Sequence, residues 1–375
     1  MATNPSRRPG SALTFNPHVA ALPTYNAGLN VAIARSISGR EQIARLGSNE
    51  NPYGCSPAVQ RALSSAAFEP WRYADPACRD LRVAIGTKVG VAPEQIVAGN
   101  GSEELIAAIS RAFLVPGAAA TTVVPSFGLH EIEPLAAGAS VTKVPMTAEL
   151  GFDVDAMERA LSLAPQIFFL PSPWNPVGPA LGLAALERLA RATSPSTLFV
   201  LDEAYREFAD PSTPDGIEVL HRLGIAHIVL RTFSKAYGLA GLRVGYAVCS
   251  DAEIARVVAA AKPPFNVNAA AQIAAIAALE DEAWMKDSVA RIREERERVR
   301  KALVDLGLRV APSQTNFLFF DSGVDSAKLA TDLVRDGIIV KAWREAGYGQ
   351  FLRATIGLPE ENDHLVRMLA KHLAR

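Results

Sequence analysis

The sequence predicts a two-domain α/β protein: a large domain built on a mostly parallel, seven-stranded sheet, followed by a smaller α+β domain. Three observations predict this fold. The chain has 375 residues, too many for one ordinary small domain. Short apolar runs alternate with helical patterns through its middle, and the pattern changes after residue 268. We therefore expect an N-terminal arm at 1–40, a large domain at 41–268, and a small domain at 269–375 that packs with the N-terminal segment.

The apolar runs of the large domain lack polar alternation, which indicates strands buried on both faces of a parallel sheet. They lie at 95–99, 121–125, 140–145, 166–171, 197–202, 227–232 and 244–249, and helical patterns between them include 102–114, 183–193 and 251–262. Ligands bind such sheets outside the carboxyl ends of the strands. The residues that follow those ends include Gly101, Ser102, Asn175, Asp202, Tyr205 and Lys235. The sequence therefore predicts one site at this edge.

The smaller domain begins with an alanine-rich helix, 269–279, and a charged helix, 285–306. Arginines and glutamates interleave along the second helix, which is typical of a solvated face rather than a nucleic-acid-binding patch. Further strands are expected at 314–321, 338–341 and 351–356, with helices at 326–336 and 360–373. The prolines of the first forty residues predict an extended arm.

The composition excludes several classes of function. The formal net charge is −1, with 49% hydrophobic and 21% charged residues, so nothing favours nucleic acid or an anionic membrane as a partner. Three cysteines without a CxxC pattern are typical of a reducing compartment. The histidines show no metal-ligand spacing, and we expect no metal. Because neither a secretory signal nor an apolar run of membrane-spanning length is present, the expected location is the cytoplasm.

The segment around Lys235 carries the most specific signal. This lysine follows a predicted strand, with the hydroxyl residues Thr232 and Ser234 before it and Arg243 eight positions after it, amid glycines. A lysine is costly to bury unless its amine is used. An amine beside hydroxyls and a guanidinium is suited to a phosphate-bearing aldehyde such as pyridoxal phosphate (PLP). For Lys235 considered alone, the alternative is a surface lysine at the end of a strand.

Two further segments at the same edge are compatible with that interpretation. Gly101 and Ser102 open a helix after a strand, where free amides bind phosphate, although Ser102 could equally be an ordinary helix cap. Glu104 stands where a dinucleotide-binding turn needs a third glycine, so that motif is incomplete. Asn175 precedes a proline, and its amide either points into the site or belongs to an ordinary turn.

Asp202 and Tyr205 complete the candidate catalytic set. Asp202 follows an apolar run, and a carboxylate buried there needs a cationic partner. A protonated pyridine nitrogen is such a partner, and its protonation makes the ring an electron sink. Tyr205 could reach the phenolic oxygen of that ring and lower the pKa of the lysine-bound cofactor by hydrogen bonding. We therefore predict catalytic roles for Lys235, Asp202 and Tyr205.

Together these motifs resemble those of fold type I PLP-dependent aminotransferases, class I and II, and within them the histidinol-phosphate aminotransferase family. The resemblance runs from residue 16 to residue 357, and a chance match of all its motifs in order is negligible. The matching segments include 47–52 (GSNENP), 72–75 (RYAD), 175–176 (NP), 202–205 (DEAY) and 234–246 (SKAYGLAGLRVGY). The resemblance implies a PLP-dependent transferase fold and a ping-pong exchange of an amino group through a Schiff base.

The resemblance also implies a role for each residue around the cofactor. Lys235 would form the Schiff base and move the proton, and Asp202 would pair with the pyridine nitrogen. Tyr205 and Asn175 would contact the ring oxygen. Phe127 would stack on the ring, where the family usually has tyrosine. The cofactor phosphate would be held by Gly101, Ser102, Thr232, Ser234 and Arg243, and by Tyr73 from a second subunit, which implies a homodimer.

On the substrate side, the resemblance places Arg353 at the carboxylate or its analogue. The family commonly has an arginine for the substrate phosphate where this sequence has Lys341, with Arg344 three residues later. Lysine binds phosphate as a point charge and lacks the fork of arginine. The remaining residues expected near the substrate are Tyr25, Asn49 and Glu50.

Three functions fit the resemblance. The first is transfer of an amino group from histidinol phosphate to 2-oxoglutarate, giving imidazole acetol phosphate and glutamate. The family usually has asparagine and threonine where this sequence has Trp174 and Val177, and with Lys341 these departures keep an aromatic amino acid such as phenylalanine open as the donor. The second is a related PLP lyase, such as a threonine-phosphate decarboxylase. The third is a PLP-domain regulator without turnover, which needs a helix-turn-helix segment for which the N-terminal residues leave no room.

Overall fold

Helices and strands alternate along most of the chain in the computed structural model, which describes residues 14–22, 28–65, 69 and 71–374. The strands are β1 (Ala44–Arg45), β2 (Ile96–Gly99), β3 (Ala119–Val124), β4 (Ser140–Pro145), β5 (Ile167–Pro171), β6 (Leu198–Asp202), β7 (His227–Thr232), β8 (Gly245–Cys249), β9 (Arg309–Val310), β10 (Phe317–Asp321), β11 (Ile338–Ile339), β12 (Lys341–Ala342) and β13 (Phe351–Thr355). The helices are α1 (Pro17–Ala20), α2 (Val31–Ser38), α3 (Pro57–Leu63), α4 (Arg79–Val89), α5 (Ser102–Phe113), α6 (Leu129–Ala136), α7 (Val154–Leu161), α8 (Leu183–Ala192), α9 (Gly216–Leu223), α10 (Ala252–Ala261), α11 (Ala269–Glu280), α12 (Glu282–Asp305), α13 (Ser326–Arg335) and α14 (Pro359–Leu373).

The main sheet has seven strands in the order β2-β8-β7-β6-β5-β3-β4. All neighbours are parallel except β8, which runs antiparallel to both β7 and β2. The predicted strands are confirmed to within two residues at each end. Sequence periodicity cannot show the direction of a short buried strand, and the reversed β8 is what makes the sheet mixed.

Both faces of the main sheet are covered, as the lack of polar alternation predicts. Phe168 and Leu170 of β5 belong to one buried cluster, whereas Ile167 and Phe169, which point the opposite way, belong to another. Helices α7, α8 and α9 contribute to the first cluster, and α5 and α10 to the second. A sheet covered on both faces leaves its strand ends as the place for a ligand.

The C-terminal part of the chain forms a second, antiparallel sheet of four strands in the order β12-β13-β10-β9. Its central strand β10 (FLFFD) has four buried apolar residues followed by a half-exposed aspartate. The strand predicted at 338–341 is instead divided at Val340 into β11 and β12. These two short strands belong to different sheets, because β11 pairs in parallel with β1.

The predicted domain bounds stay a prediction, and two contacts bear on where they lie. Strand β1, which lies within the large domain as predicted, pairs with β11 from the C-terminal part of the chain. Helix α11, just beyond residue 268, packs against α3 and α4. Chain segments on either side of each proposed boundary therefore share contacts.

The N-terminal segment is not simply extended, which corrects the sequence prediction. Residues 31–38 form α2, which begins at Asn30, whose side chain accepts a hydrogen bond from the Ile33 amide (2.9 Å). The helix ends at Gly39, whose positive φ of 66° suits glycine. The capping asparagine and the terminal glycine indicate this helix in the sequence, but the prediction of an extended arm relied on the prolines. Within the described ranges, no helix is both long enough and apolar enough to cross a membrane.

Candidate active site

The predicted site residues gather where the central strands end. The final residue of β6, Asp202, is in register with Pro171 of β5 and with Leu230 of β7, so these strands finish at one edge. Asn175 follows β5, and Lys235 follows β7. Segments far apart in sequence therefore meet at the carboxyl edge of the sheet.

Lys235 is a half-buried amine with an altered basicity. Its Nζ donates a hydrogen bond to the carbonyl of Ser48 (3.1 Å) and lies 6.0 Å from the centre of the Tyr205 ring. Burial, together with the positive charges of Arg353 and Arg243, lowers the pKa of Lys235 to about 8, against the opposing effect of nearby Glu50. A substantial fraction of this amine is therefore neutral, and nucleophilic, slightly above neutral pH.

Asp202 is buried, and His130 contacts its carboxylate. One carboxylate oxygen accepts the amide hydrogen of Ala204 (3.0 Å), and the other lies 3.1 Å from Nε2 of His130. His130 is fully buried, its Nδ1 is 3.2 Å from the Ser126 hydroxyl, and its ring stacks on Phe169. His130 was not expected at the site, because a histidine in the sequence is recognised as functional mainly by metal-ligand spacing, which it lacks.

Tyr205 and Asn49 form a buried pair. The Nδ2 group of Asn49 donates a hydrogen bond to the Tyr205 hydroxyl (2.8 Å), and the two side chains are almost inaccessible. The rings of Tyr205 and Phe317 pack edge to face, with their centres 5.2 Å apart and their planes nearly perpendicular. Asn49 is also expected near the substrate, and its side-chain amide donates to Tyr205 in the structure.

Asn175 and Arg353 form a second buried pair across the two sheets. Nη1 of Arg353 donates to Oδ1 of Asn175 (2.7 Å), and its Nη2 donates to the carbonyl of Gly47 (2.7 Å). The guanidinium also lies over the Phe317 ring at 5.3 Å. The residue expected at the substrate anion is thereby held next to a residue expected at the ring oxygen.

The start of α5 forms a cradle that requires glycine. Gly101 caps the helix with a φ of 78°, and a Cβ added there would lie 2.5 Å from Nη2 of Arg243. A Cβ on Gly245 of the neighbouring strand β8 would lie 2.7 Å from the amide nitrogen of Ser102. The backbone amides at this helix terminus are thus closely approached by neighbouring groups, which suits an anion site.

Hydroxyl groups and a guanidinium line the same cradle. The buried Thr232 hydroxyl donates to Ser234 Oγ (3.0 Å) and accepts the Ser234 amide hydrogen (3.1 Å). Arg243 reaches Ser234 Oγ at 3.5 Å and forms an ion pair with the exposed Glu103 (2.8 Å). Donors of this kind bind phosphate, and they lie next to the α5 terminus.

An aromatic wall lies beside Asp202. The half-buried Phe127, which lies between β3 and α6, packs edge to face with His130, with ring centres 5.8 Å apart. The preceding Pro125 accepts a hydrogen bond from Nε1 of Trp174 (2.8 Å), which is fully buried and stacks on Phe152. Trp174, one of the departures noted in the sequence, therefore supports the segment that positions Phe127.

The basic residues expected at the substrate lie along the small sheet. Lys341 of β12 is in register with Arg353 of β13, whereas Arg344 is exposed beyond the end of β12. Burial, with the charges of Arg353 and Arg344, lowers the pKa of Lys341 to about 8. Glu50 forms an ion pair with Arg45 (2.8 Å) and remains within electrostatic reach of Lys235.

Two predicted residues are not joined to this group. Tyr73 is 84% exposed, and its ring packs on Phe265 at 4.6 Å. Tyr25 lies outside the described residues. In the parts of the chain that the structure describes, no group of three or more His, Cys, Asp or Glu side chains is placed to hold a metal ion.

The fold and the site together are typical of an enzyme of amine chemistry: one sheet edge carries a lysine of lowered pKa, a buried carboxylate, a helix terminus suited to an anion and a second cationic group. The profile of the family described as aminotransferase class I and II matches residues 41–369. The chain belongs to this family.

Curated relatives and solved structures agree with that assignment. Histidinol-phosphate aminotransferase 3 of Rhizobium meliloti is 41% identical over 352 residues, covering 94% of this chain and 95% of the relative. Histidinol-phosphate aminotransferase 1 of Mesorhizobium japonicum is 42% identical over 354 residues, covering 93% and 95%. The crystal structure of histidinol-phosphate aminotransferase from Sinorhizobium meliloti in complex with pyridoxal-5'-phosphate has a TM-score of 0.88 at 30% identity, covering 97% of this chain and 99% of that chain.

Proposed function

We propose that this protein is a PLP-dependent aminotransferase that transfers the amino group of histidinol phosphate to 2-oxoglutarate, giving imidazole acetol phosphate and glutamate. The observation that carries the proposal is the position of Lys235. It follows β7 at the carboxyl edge of the sheet, and the positive charges of Arg243 and Arg353 both act on its amine. One cationic group suits the phosphate of the cofactor, and the other suits the anionic group of a substrate.

The residues present fit PLP. The cradle formed by Gly101, Ser102, Thr232, Ser234 and Arg243 would hold its phosphate, and Glu103, the carboxylate that pairs with Arg243, is exposed, so a phosphate could replace it at the guanidinium. Asp202 lies at the buried edge of the sheet, and His130 contacts its carboxylate. A buried carboxylate needs a cationic partner, and a protonated ring nitrogen would be one. Bound PLP supplies an aldehyde for the substrate amine and a ring that withdraws electrons from it.

The chemistry contributed by this chain is proton transfer and orientation. Nζ of Lys235, with a pKa of about 8, takes up and returns a proton near neutral pH. Tyr205 and Asn175 would hold the ring oxygen of the cofactor, and Phe127 would cover one face of the ring. The carboxylate of Asp202 would keep the ring nitrogen protonated. Lys235, Asp202 and Tyr205 are thus the proposed catalytic residues.

The basic residues of the small sheet support a phosphorylated amino donor. Lys341 and Arg353 are opposite each other, and a phosphate monoester carries enough charge to compensate both. Arg344 could add a third charge from its exposed position. Tyr25, Asn49 and Glu50 stay proposed as residues near the substrate. Phenylalanine remains the second candidate donor, because the lysine at 341 lacks the fork of arginine.

The substrate proposal is tested with the purified PLP-bound enzyme. The loss of the visible absorption of lysine-bound PLP is followed with histidinol phosphate, phenylalanine, glutamate and O-phosphothreonine. Conversion by histidinol phosphate at far lower concentration than by phenylalanine supports the proposal. Preference for phenylalanine identifies an aromatic aminotransferase. Release of carbon dioxide from O-phosphothreonine identifies a decarboxylase. An unchanged spectrum with every donor rejects aminotransfer.

We also propose that the enzyme is a cytoplasmic homodimer in which Tyr73 reaches the cofactor phosphate of the other subunit. The exposure of Tyr73 supports this, since a large aromatic ring at the surface is suited to an interface. Hybrid dimers test it: K235A supplies an intact Tyr73, and Y73A supplies an intact Lys235. Refolding the two variants together should restore one complete site per hybrid. No gain over the separate variants means that each chain uses its own Tyr73.

A further inference from the structure

We propose that Asn49 and Thr355 are positioning residues that set the direction of the Tyr205 hydroxyl proton. The inference rests on the proposed function, because the acceptor of that proton is then the phenolic oxygen of PLP. Asn49 donates to the Tyr205 hydroxyl (2.8 Å), and the Thr355 hydroxyl donates to Oδ1 of Asn49 (3.0 Å). A chain of hydrogen bonds thus runs from β13 to Tyr205.

The three side chains are shielded from water. Asn49 is 1%, Thr355 2% and Tyr205 3% exposed. In such a place each hydrogen bond is strong, and a group left without its partner is costly. The backbone of Asn49 has a φ of 55°, a conformation that asparagine tolerates better than most residues. Asn316 fixes this segment further by donating to the Asn49 carbonyl (3.0 Å).

The arrangement gives each hydroxyl a defined direction. Thr355 Oγ1 accepts the backbone amide hydrogen of Asn49 (2.9 Å) and gives its own hydrogen to Oδ1 of the same residue. The side-chain amide of Asn49 is thereby oriented with its NH₂ group toward Tyr205. The phenolic oxygen accepts from that group, so its own hydrogen serves an acceptor elsewhere. A carboxylate at position 49 would reverse this, because it accepts the phenolic hydrogen itself.

Strand β13 is connected to both residues proposed to bind the ring oxygen, Asn175 and Tyr205. Arg353 and Thr355 are two residues apart in β13 and so point to the same face. Arg353 donates to Asn175, and Thr355 acts through Asn49 on Tyr205. An anion that draws Arg353 toward itself therefore acts on a strand connected to both ring-oxygen partners.

The test is a pH titration of the visible absorption of PLP bound to Lys235. A hydrogen bond from Tyr205 stabilises the deprotonated form of the bound cofactor, so its loss raises the midpoint. We expect N49D to raise the midpoint by about one unit or more, a roughly tenfold change in proton affinity. T355V should raise the midpoint by a smaller amount. T355S, which keeps the hydroxyl, should have the wild-type midpoint.

The negative charge that N49D introduces can also raise the midpoint directly, without Tyr205. A double variant separates this charge effect from the redirected hydrogen bond. In a Y205F background, N49D should shift the midpoint far less than it does in the wild type, because the hydroxyl it redirects is absent. An equal shift in both backgrounds, or equal midpoints for T355V and T355S, overturns the inference. A wild-type enzyme without visible PLP absorption rejects the proposed function itself, and this inference with it.

Discussion

Lys341 stands directly opposite Arg353 in the antiparallel pair β12–β13, so two cationic side chains share one face of the small sheet. Like charges in this position repel each other. Burial and the neighbouring arginines accordingly lower the pKa of Lys341 to about 8. Arg353 also reaches Asn175 in the large sheet (2.7 Å). An anion that bears two charges compensates this repulsion better than a carboxylate does.

Removal of Lys341 should therefore affect phosphorylated donors selectively. We expect K341A to raise the KM for histidinol phosphate by about ten- to a hundredfold, the effect of losing one charge-assisted hydrogen bond. The KM for histidinol, which lacks the phosphate, should change little. Half-reaction kinetics with the two donors measure the difference. An equal increase for both donors would show that Lys341 does not contact the phosphate.

The lowered pKa of Lys341 predicts a pH dependence of substrate binding. Lysine is cationic below its pKa, so the KM for histidinol phosphate should rise as the pH increases through about 8. The substrate phosphate stays dianionic over this range, since its second pKa is about 6. K341R keeps its charge and should remove the rise. The same pH profile in the wild type and in K341R contradicts this explanation.

The cradle at the start of α5 predicts that glycine is required at position 101. In G101A the new methyl group would displace Arg243, and the backbone would be strained at a φ of 78°. The strain destabilises the fold, whereas displacing Arg243 removes a charge-assisted contact worth about 1.5–3 kcal/mol, which corresponds to roughly ten- to a hundredfold weaker PLP binding. Gly182, which also caps a helix, offers a matched control, because it has an ordinary φ of −76° and open space around it.

PLP binding to the two variants can be measured by titrating the apoenzymes and following absorbance. G182A should bind as the wild type does. If G101A also binds normally, the α5 terminus does not hold the cofactor phosphate.

The main sheet could be predicted because its strands are continuous apolar runs, and its site because functional residues follow those runs directly. Lys235 and Asp202 are examples: each is recognisable from the segment that precedes it. Strands of two residues, such as β1 and β9, are too short to show any periodicity and were not predicted.

Contacts between distant residues could not be predicted from local patterns. His130 acts on Asp202, which lies 72 positions away, and Asn49 is bonded to Thr355 across 306 positions. Neither residue stands in a context that marks it: His130 lies inside α6, and Asn49 adopts a positive φ that sequence does not show. Such supporting residues depend on the packing of the whole chain, whereas the residues they support follow recognisable strands.

Lys235 should govern the attachment of the cofactor. Only the neutral amine attacks an aldehyde, so the rate at which apoenzyme gains visible PLP absorption should rise with pH and level off above about 8. K235R should show no such absorption and should lose more than about 10⁴-fold in transamination rate, because acid–base transfer alone contributes up to that factor. K262R is the control, since burial also lowers the pKa of Lys262. Normal cofactor attachment in K235R would assign the reaction to another amine.

Arg231, directly before Thr232, should stabilise the sheet beneath the site. It is buried and donates to Glu203 (2.7 and 2.9 Å) and to Asp215 (2.9 Å). R231M leaves the buried Glu203 without its main partner, which costs about 3–5 kcal/mol in the free energy of unfolding. R188M is the control, because Arg188 forms its ion pairs with Asp155 and Glu158 at the surface, and it should unfold almost as the wild type does.

Urea unfolding followed by circular dichroism measures these differences. Adding E203L to R231M should recover part of the loss, because replacing both partners of a buried ion pair removes the uncompensated charge that replacing one creates. If R231M is no less stable than R188M, the pair contributes little to the fold. Its residues would then serve to orient the β7 end, and the effect of R231M would be on PLP affinity, through the adjacent Thr232, rather than on unfolding.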